Sequence, residues 1–222
     1  MKQRREWQNY SLAATAPVTI CPNYKTLMLT ATQETRTDLL RDLGLSEEST
    51  FTALDKLTDT ESRYLRDLRV NLKTALAGET LTPKEAYLLA LAAAANEEND
   101  VLSKAFEEKA LENGADLGEV SEAIACASLL ATNNILYRFR HYASKDVYEQ
   151  LPARVKMNIM LKPVLGKEFF ELMSLAISAI NGCERCITSH ENSVMHLGTT
   201  EPRIFDAIRV AAVVVGLSKI VR

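Results

Sequence analysis

The second half of the chain repeats the plan of the first, and that repetition limits the fold more than any single residue does. "KEAYLLALAAAANEENDVLSKAFEEKALENGADLGEVSEAIACASLL" lies over "KEFFELMSLAISAINGCERCITSHENSVMHLGTTEPRIFDAIRVAAVVVGL" with an offset of about 84–85 residues. Asn96 then falls on Asn181, Gly114 on Gly198, and "EAI" at 122–124 on "DAI" at 206–208, with one residue slipped between the hairpin and the glycine. Few identities recur, but the order helix, Asn turn, helix, Gly stop, apolar helix does. A three-helix unit of this kind cannot bury its apolar faces alone, so the period predicts two copies packed against each other. The expected fold class is all-α: a duplicated helical-hairpin repeat, with a degenerate copy over about residues 82–140 and a second over about 165–222.

Local signals agree with helices. Thr82, Pro83 and Glu85 form a capping box with proline at the first helical position, and Asp116 with Glu119 forms another. "SRYLRDLRVNLKTAL" has apolar residues at helical spacing and ends at Gly78, while "DVLSKAFEEKALENG" stops at Gly114. No stretch longer than a few residues alternates as a strand would. The helical domain is expected over 51–222, and residues 1–50, with Pro17 and Pro22, read as a poorly organised N-terminal extension. Within that extension only "ETRTDLLRDLGL" looks like a short amphipathic helix, and Met28 is an internal candidate start.

A net charge of -3 gives no reason to expect nucleic acid or an anionic membrane as a partner. The longest apolar run, "AYLLALAAAA", has ten residues, too few to span a bilayer. The basic start is interrupted by Glu6 and Pro17 and does not read as a secretion signal. Four cysteines in 222 residues do not make a secreted disulfide framework, so a reducing cytoplasm is expected.

Chemistry concentrates in "INGCERCITSH", residues 180–190. Asn181-Gly182 separates two helices into an antiparallel hairpin. Glu171 precedes the break and His190 follows it, each roughly 12–15 Å away at about 1.5 Å per residue, so they can sit level across the hairpin. Cys183 and Cys186 are i and i+3 at the start of the second helix, and His190 is i+4 from Cys186. A helix N-terminus stabilises a thiolate, a histidine can take its proton, and a carboxylate fixes the imidazole. Glu171–His190–Cys186 therefore reads as a proton relay to a nucleophilic sulfur, with Cys183 placed to resolve a sulfenic acid. In the first copy the positions of Cys183, Cys186, His190 and Glu171 are matched by Glu98, Val101, Ala105 and Ala86, so packing alone does not ask for these residues. The alternatives are a zinc site of Cys183, Cys186, His190 and Glu171, or two inert buried cysteines. Cys126 reads as core, Cys21 has no partner at a telling spacing, and His141 and His196 read as surface or core rather than ligands. Arg138, Arg140 and Lys145 read as a solvated face.

The spacing Glu171-x11-Cys183-x2-Cys186-x3-His190 resembles the signature of the alkyl hydroperoxidase D (AhpD) family, within the carboxymuconolactone decarboxylase-like superfamily. "NNILYRFRHY", "ARVKMNIM", "FELMSLAISAINGCERC" and "IFDAIRVAAVVVGL" resemble that family in the same order, and the likeness runs from about Phe51 to the C-terminus. The resemblance implies a cytoplasmic homotrimer that reduces organic hydroperoxides without a bound cofactor or metal. It implies electrons from dihydrolipoamide on a dihydrolipoyl-bearing acyltransferase, and an alkyl hydroperoxide reductase peroxiredoxin as partner. It also implies that Cys186 is the peroxidatic thiol, Cys183 its resolving disulfide partner and proton donor, and His190 with Glu171 the relay. A dithiol reductase without direct peroxidase activity, and a zinc-stabilised helical module, stand as alternatives. Arg185 departs from relatives that carry a second histidine there, and residues 1–50 have no counterpart.

Overall fold

A computed structural model of the chain describes residues 22–222. Its helices are α1 (Pro22–Asp42), α2 (Thr52–Asp59), α3 (Tyr64–Leu76), α4 (Pro83–Asn96), α5 (Asp100–Glu112), α6 (Leu117–Ala143), α7 (Asp146–Gln150), α8 (Lys167–Ile180), α9 (Glu184–His196) and α10 (Glu201–Ser218), with one 3-10 turn at Asn158–Leu161. No strand occurs among the described residues, and none of their helices is long and apolar enough to cross a membrane. Both capping boxes form: Thr82 accepts from the Glu85 amide and Asp116 from the Glu119 amide, and in each the glutamate bonds back.

The core is built on α4 and α8. Leu88 through Ala94 are fully buried, and α8 is buried from Phe169 to Ser178. A helix apolar on every side must be covered on every side. Accordingly, α5, α6 and α10 pack on α4, and α6, α9 and α10 pack on α8.

Residues 1–50 depart from the sequence reading over the part described. Pro22–Asp42 is one helix, with Pro22 as its first residue, where a missing N–H costs no hydrogen bond. Leu39, Leu40 and Leu43 are buried in the common core, and Arg69 on α3 pairs with Asp38 and Asp42 at 2.8 and 2.7 Å. Tertiary packing on α2 and α3 stabilises a segment whose local pattern is weak.

The duplication is exact in length for the first two helices. α4, α5 and α6 begin at 83, 100 and 117, and α8, α9 and α10 at 167, 184 and 201, a constant offset of 84. The copies are also cross-linked symmetrically. Buried Glu122 on α6 accepts the amides of Val164 and Leu165, in the strap leading into α8, at 2.8 and 2.6 Å. Its counterpart Asp206 on α10 accepts the amide and hydroxyl of Thr80, in the strap leading into α4, at 3.3 and 2.6 Å. Each copy thus holds the entrance of the other with charge-assisted bonds.

Candidate active site

The turn between α8 and α9 is closed by Gly182 in the left-handed region, φ +65°. Cys183 follows as the residue capping α9, and Cys186 lies in that helix's first turn. The two are joined by a disulfide, with Cα atoms 5.2 Å apart. The constant offset of 84 changes the comparison with copy one. The sequence overlay anchored on Asn96 and Asn181, which lie one position apart in the two hairpins, Asn96 ending α4 and Asn181 following α8. Structurally, Cys183, Cys186, His190 and Glu171 face Asn99, Leu102, Phe106 and Tyr87 rather than Glu98, Val101, Ala105 and Ala86.

Asn99 is an ordinary cap whose side-chain oxygen accepts the Leu102 amide at 2.9 Å. Cys183 puts sulfur where copy one has that oxygen, and no side-chain cap bond forms. The first-turn N–H groups of α9 therefore keep their capacity to stabilise a thiolate. Leu102, Phe106 and Tyr87 give way to Cys186, His190 and Glu171, so residues of the apolar core are replaced by a thiol, an imidazole and a carboxyl.

Glu171, 5% exposed, stands level with His190 across the hairpin, Oε2 to Nδ1 at 2.7 Å. Its other oxygen, Oε1, meets Lys167 Nζ at 2.9 Å. Burial pushes this carboxyl up, but the hydrogen bonds from His190 and Lys167 together outweigh it and hold Glu171 below its ordinary value. A carboxylate only accepts, so His190 donates from Nδ1 and keeps Nε2 for proton exchange elsewhere. Cys186 and His190 line a cavity of about 330 Å³, whereas Cys183 is fully buried and does not. Cys186 is the sulfur that a molecule in the cavity meets.

Residues 146–222 match the carboxymuconolactone decarboxylase family. Over 162 residues the chain is 41% identical to an alkyl hydroperoxide reductase AhpD of Anaeromyxobacter dehalogenans (strain 2CP-C), covering 73% of this chain and 87% of that one. The AhpD of Beijerinckia indica is 40% identical, covering 73% and 89% respectively. That of Brucella canis is 37% identical, with 73% and 92% covered. The chain belongs to the AhpD family. At the level of fold, the chain superposes with a TM-score of 0.61 on a protein designated a "putative gamma-carboxymuconolactone decarboxylase subunit", from Burkholderia xenovorans LB400. Identity there is 16%, with 85% of this chain and 93% of that one covered.

Several residues of the site were not singled out from sequence. Asn133 and Tyr137 reach the cavity from α6, and Met157 and Met160 from the segment before α8. They lie in "NNILYRFRHY" and "ARVKMNIM", and the signal available was polar Asn133 at a core position of an amphipathic helix. Lys167 was also missed; it lies one helical turn before Glu171 and bonds the Met160 carbonyl at 2.7 Å. Arg138 corrects another reading: it is half-buried and donates to the Asn181 carbonyl at the end of α8, at 2.5 Å, rather than belonging to a solvated face. Arg140 bonds the Leu151 carbonyl at 2.5 Å, while Lys145 is exposed.

The remaining candidates stand apart. Cys126 is buried beside Ser174, and burial pushes its thiol up to about 12, which keeps it protonated. Cys21 lies outside the described residues. His141 is exposed, 3.4 Å from Glu184, and His196 is exposed with Nδ1 at the Asn192 carbonyl. Arg185 is at the cavity rim, paired with Glu149 at 2.6 Å over the Tyr137 ring. Among the described residues no group of three or more His, Cys, Asp or Glu side chains is arranged to hold a metal ion.

Proposed function

We propose that this AhpD-family chain is a thiol-dependent alkyl hydroperoxide reductase, an antioxidant enzyme with its redox centre at Cys183 and Cys186. The observation that carries the reading is the cavity in which Cys186 meets His190, itself tied to the Glu171 carboxylate. In the reduced enzyme His190 takes the Cys186 proton, and the thiolate attacks the terminal oxygen of the hydroperoxide. The O–O bond breaks, Cys186 becomes a sulfenic acid, and the leaving alkoxide takes the proton from His190 to depart as an alcohol. Cys183, deprotonated as it attacks, displaces hydroxide from the Cys186 sulfur. The disulfide forms and water leaves. A dihydrolipoyl group, carried by an acyltransferase, reduces the disulfide through a mixed disulfide and becomes lipoyl disulfide. The reduced pair passes two electrons by the same exchange to the disulfide of an alkyl hydroperoxide reductase peroxiredoxin.

The test uses tert-butyl hydroperoxide with dihydrolipoamide. Cys186→Ser loses at least 10³-fold of turnover, on the order expected for removing a nucleophile. Cys183→Ser consumes one equivalent of peroxide and stops, leaving a sulfenic acid that dimedone traps on Cys186. Full turnover by Cys186→Ser overturns the reading. Faster reaction with an oxidised peroxiredoxin than with free peroxide instead favours a dithiol reductase, for which the same disulfide serves.

We further propose a homotrimer acting in the cytoplasm. Ile135, Phe139 and Tyr142 follow one another at i, i+4 and i+7 on α6, and these and Leu151 and Leu161 are between 51% and 80% exposed, apolar side chains of the kind that subunits cover. Sedimentation of the purified protein checks the assembly.

A further inference from the structure

The cavity beside Cys186 contains a polar group that the relay does not use. Asn133 lines it from α6 and is 5% exposed. Its Nδ2 donates to the Met157 sulfur at 3.1 Å, and a thioether is a weak acceptor. Its Oδ1 is shielded from water and has no hydrogen-bond partner; among the described residues only Ser218 Oγ shares that condition. The amide orientation follows from its neighbours, since sulfur offers no donor and only the N–H side can pair with it while the cavity holds no ligand. A buried carboxamide left in this state is a cost to folding, and natural interiors keep few such groups without a use. Packing does not demand it: the counterpart on α10, by the offset of 84, is Leu217, fully buried in the core.

We infer that Asn133 is the substrate-binding residue that receives the hydroperoxide, its carboxamide oxygen accepting the terminal O–H so that the terminal oxygen faces Cys186. The inference rests on the hydroperoxidase reading above and names the polar contact on which it depends. The Nδ2 contact with Met157 is weak enough for the amide to turn toward the ligand at little cost. The methionines and the Tyr137 ring offer apolar surface for the alkyl group on the same wall. The O–H accepted by Asn133 becomes that of the Cys186 sulfenic acid, so the contact persists through the transfer and no proton passes through the amide.

The test is Asn133→Leu, which copies the side chain found at the equivalent position of α10, with Asn133→Gln as a second variant. Each protein is fully reduced and mixed with tert-butyl hydroperoxide, and disulfide formation is followed in one turnover. Oxidised samples are mixed separately with dihydrolipoamide, which carries no hydroperoxide O–H. Asn133→Leu slows the peroxide step about three- to ten-fold, the range for one neutral hydrogen bond, mainly by raising the half-saturating peroxide concentration. Its reduction by dihydrolipoamide stays within two-fold of wild type, its melting temperature does not fall, and Asn133→Gln recovers part of the peroxide rate. An unchanged peroxide rate in a wild-type-like Asn133→Leu overturns the inference and leaves the hydroperoxidase reading intact. Equal slowing of both half-reactions marks a structural role and also overturns it. Failure of the wild-type protein to react with peroxide refutes the parent reading, and this one with it.

Discussion

Glu171 is held between His190 and Lys167, and each governs a different property. His190 is the chemical partner, while Lys167 keeps the far oxygen occupied and the charge in place. Because the carboxyl lies below its ordinary value when folded, its contribution to stability is complete above the unfolded value of about 4.3 and disappears as pH falls through the folded one. Glu171→Gln is therefore less stable than wild type at pH 7, by about 1–3 kcal/mol. That gap closes as pH drops below about 4, read from urea midpoints across pH. Lys167→Met leaves the His190 contact but lets the Glu171 carboxyl rise, and the acid limb of the peroxidase profile moves to higher pH; an unmoved limb excludes Lys167 from positioning. At this scale sequence spacing was informative. Ten residues before the turn and eight after placed Glu171 and His190 opposite each other, because two straight helices leave little freedom. Asn133 and Lys167 escaped because their importance comes from tertiary neighbours that no local spacing encodes.

At the scale of elements, the two hairpins make the same turn with different residues. Gly182 takes φ +65° in the second, and Glu98 occupies the equivalent position in the first at φ +55°. A residue with a Cβ is strained there, so Glu98→Gly raises stability by about 0.5–1 kcal/mol, and Gly182→Ala lowers it by about 1 kcal/mol. Thermal melts of the two variants measure both, and matching signs would contradict the strain argument. The helix starts at Thr82 and Asp116 and the stops at Gly114 and Gly182 were legible because capping is chemistry within a few neighbouring residues. The repeat register was off by one because asparagine marks both turns from different positions. Only backbone hydrogen bonding distinguishes the last residue of a helix from the first beyond it.

At the scale of the molecule, Arg203 on α10 joins the copies, pairing with Glu85 on α4 at 2.6 Å and Glu168 on α8 at 3.0 Å. Burial raises both carboxyls, but bonds from Arg203, Thr82 and Thr199 outweigh it and leave both below their ordinary values. Arg203→Met leaves two half-buried like charges facing each other and costs about 2–3 kcal/mol at pH 7. As with Glu171, the depressed carboxyls stabilise above their unfolded values, so the loss shrinks as pH falls toward 4; a constant loss across that range would point to packing instead. The duplicated all-helical plan could be read from the order of caps and glycines, but the role of α1 could not. Its ion pairs to α2 and α3 and its buried leucines are settled only by contact with distant segments.

The crossed grips of Glu122 and Asp206 bear on how such a molecule could have arisen. A half-length chain would carry one acceptor and one strap, and in this fold each acceptor meets the strap of the other copy rather than its own. Two such chains, exchanging those ends, would complete each other as the two copies do here, and the single chain keeps that exchange independent of concentration.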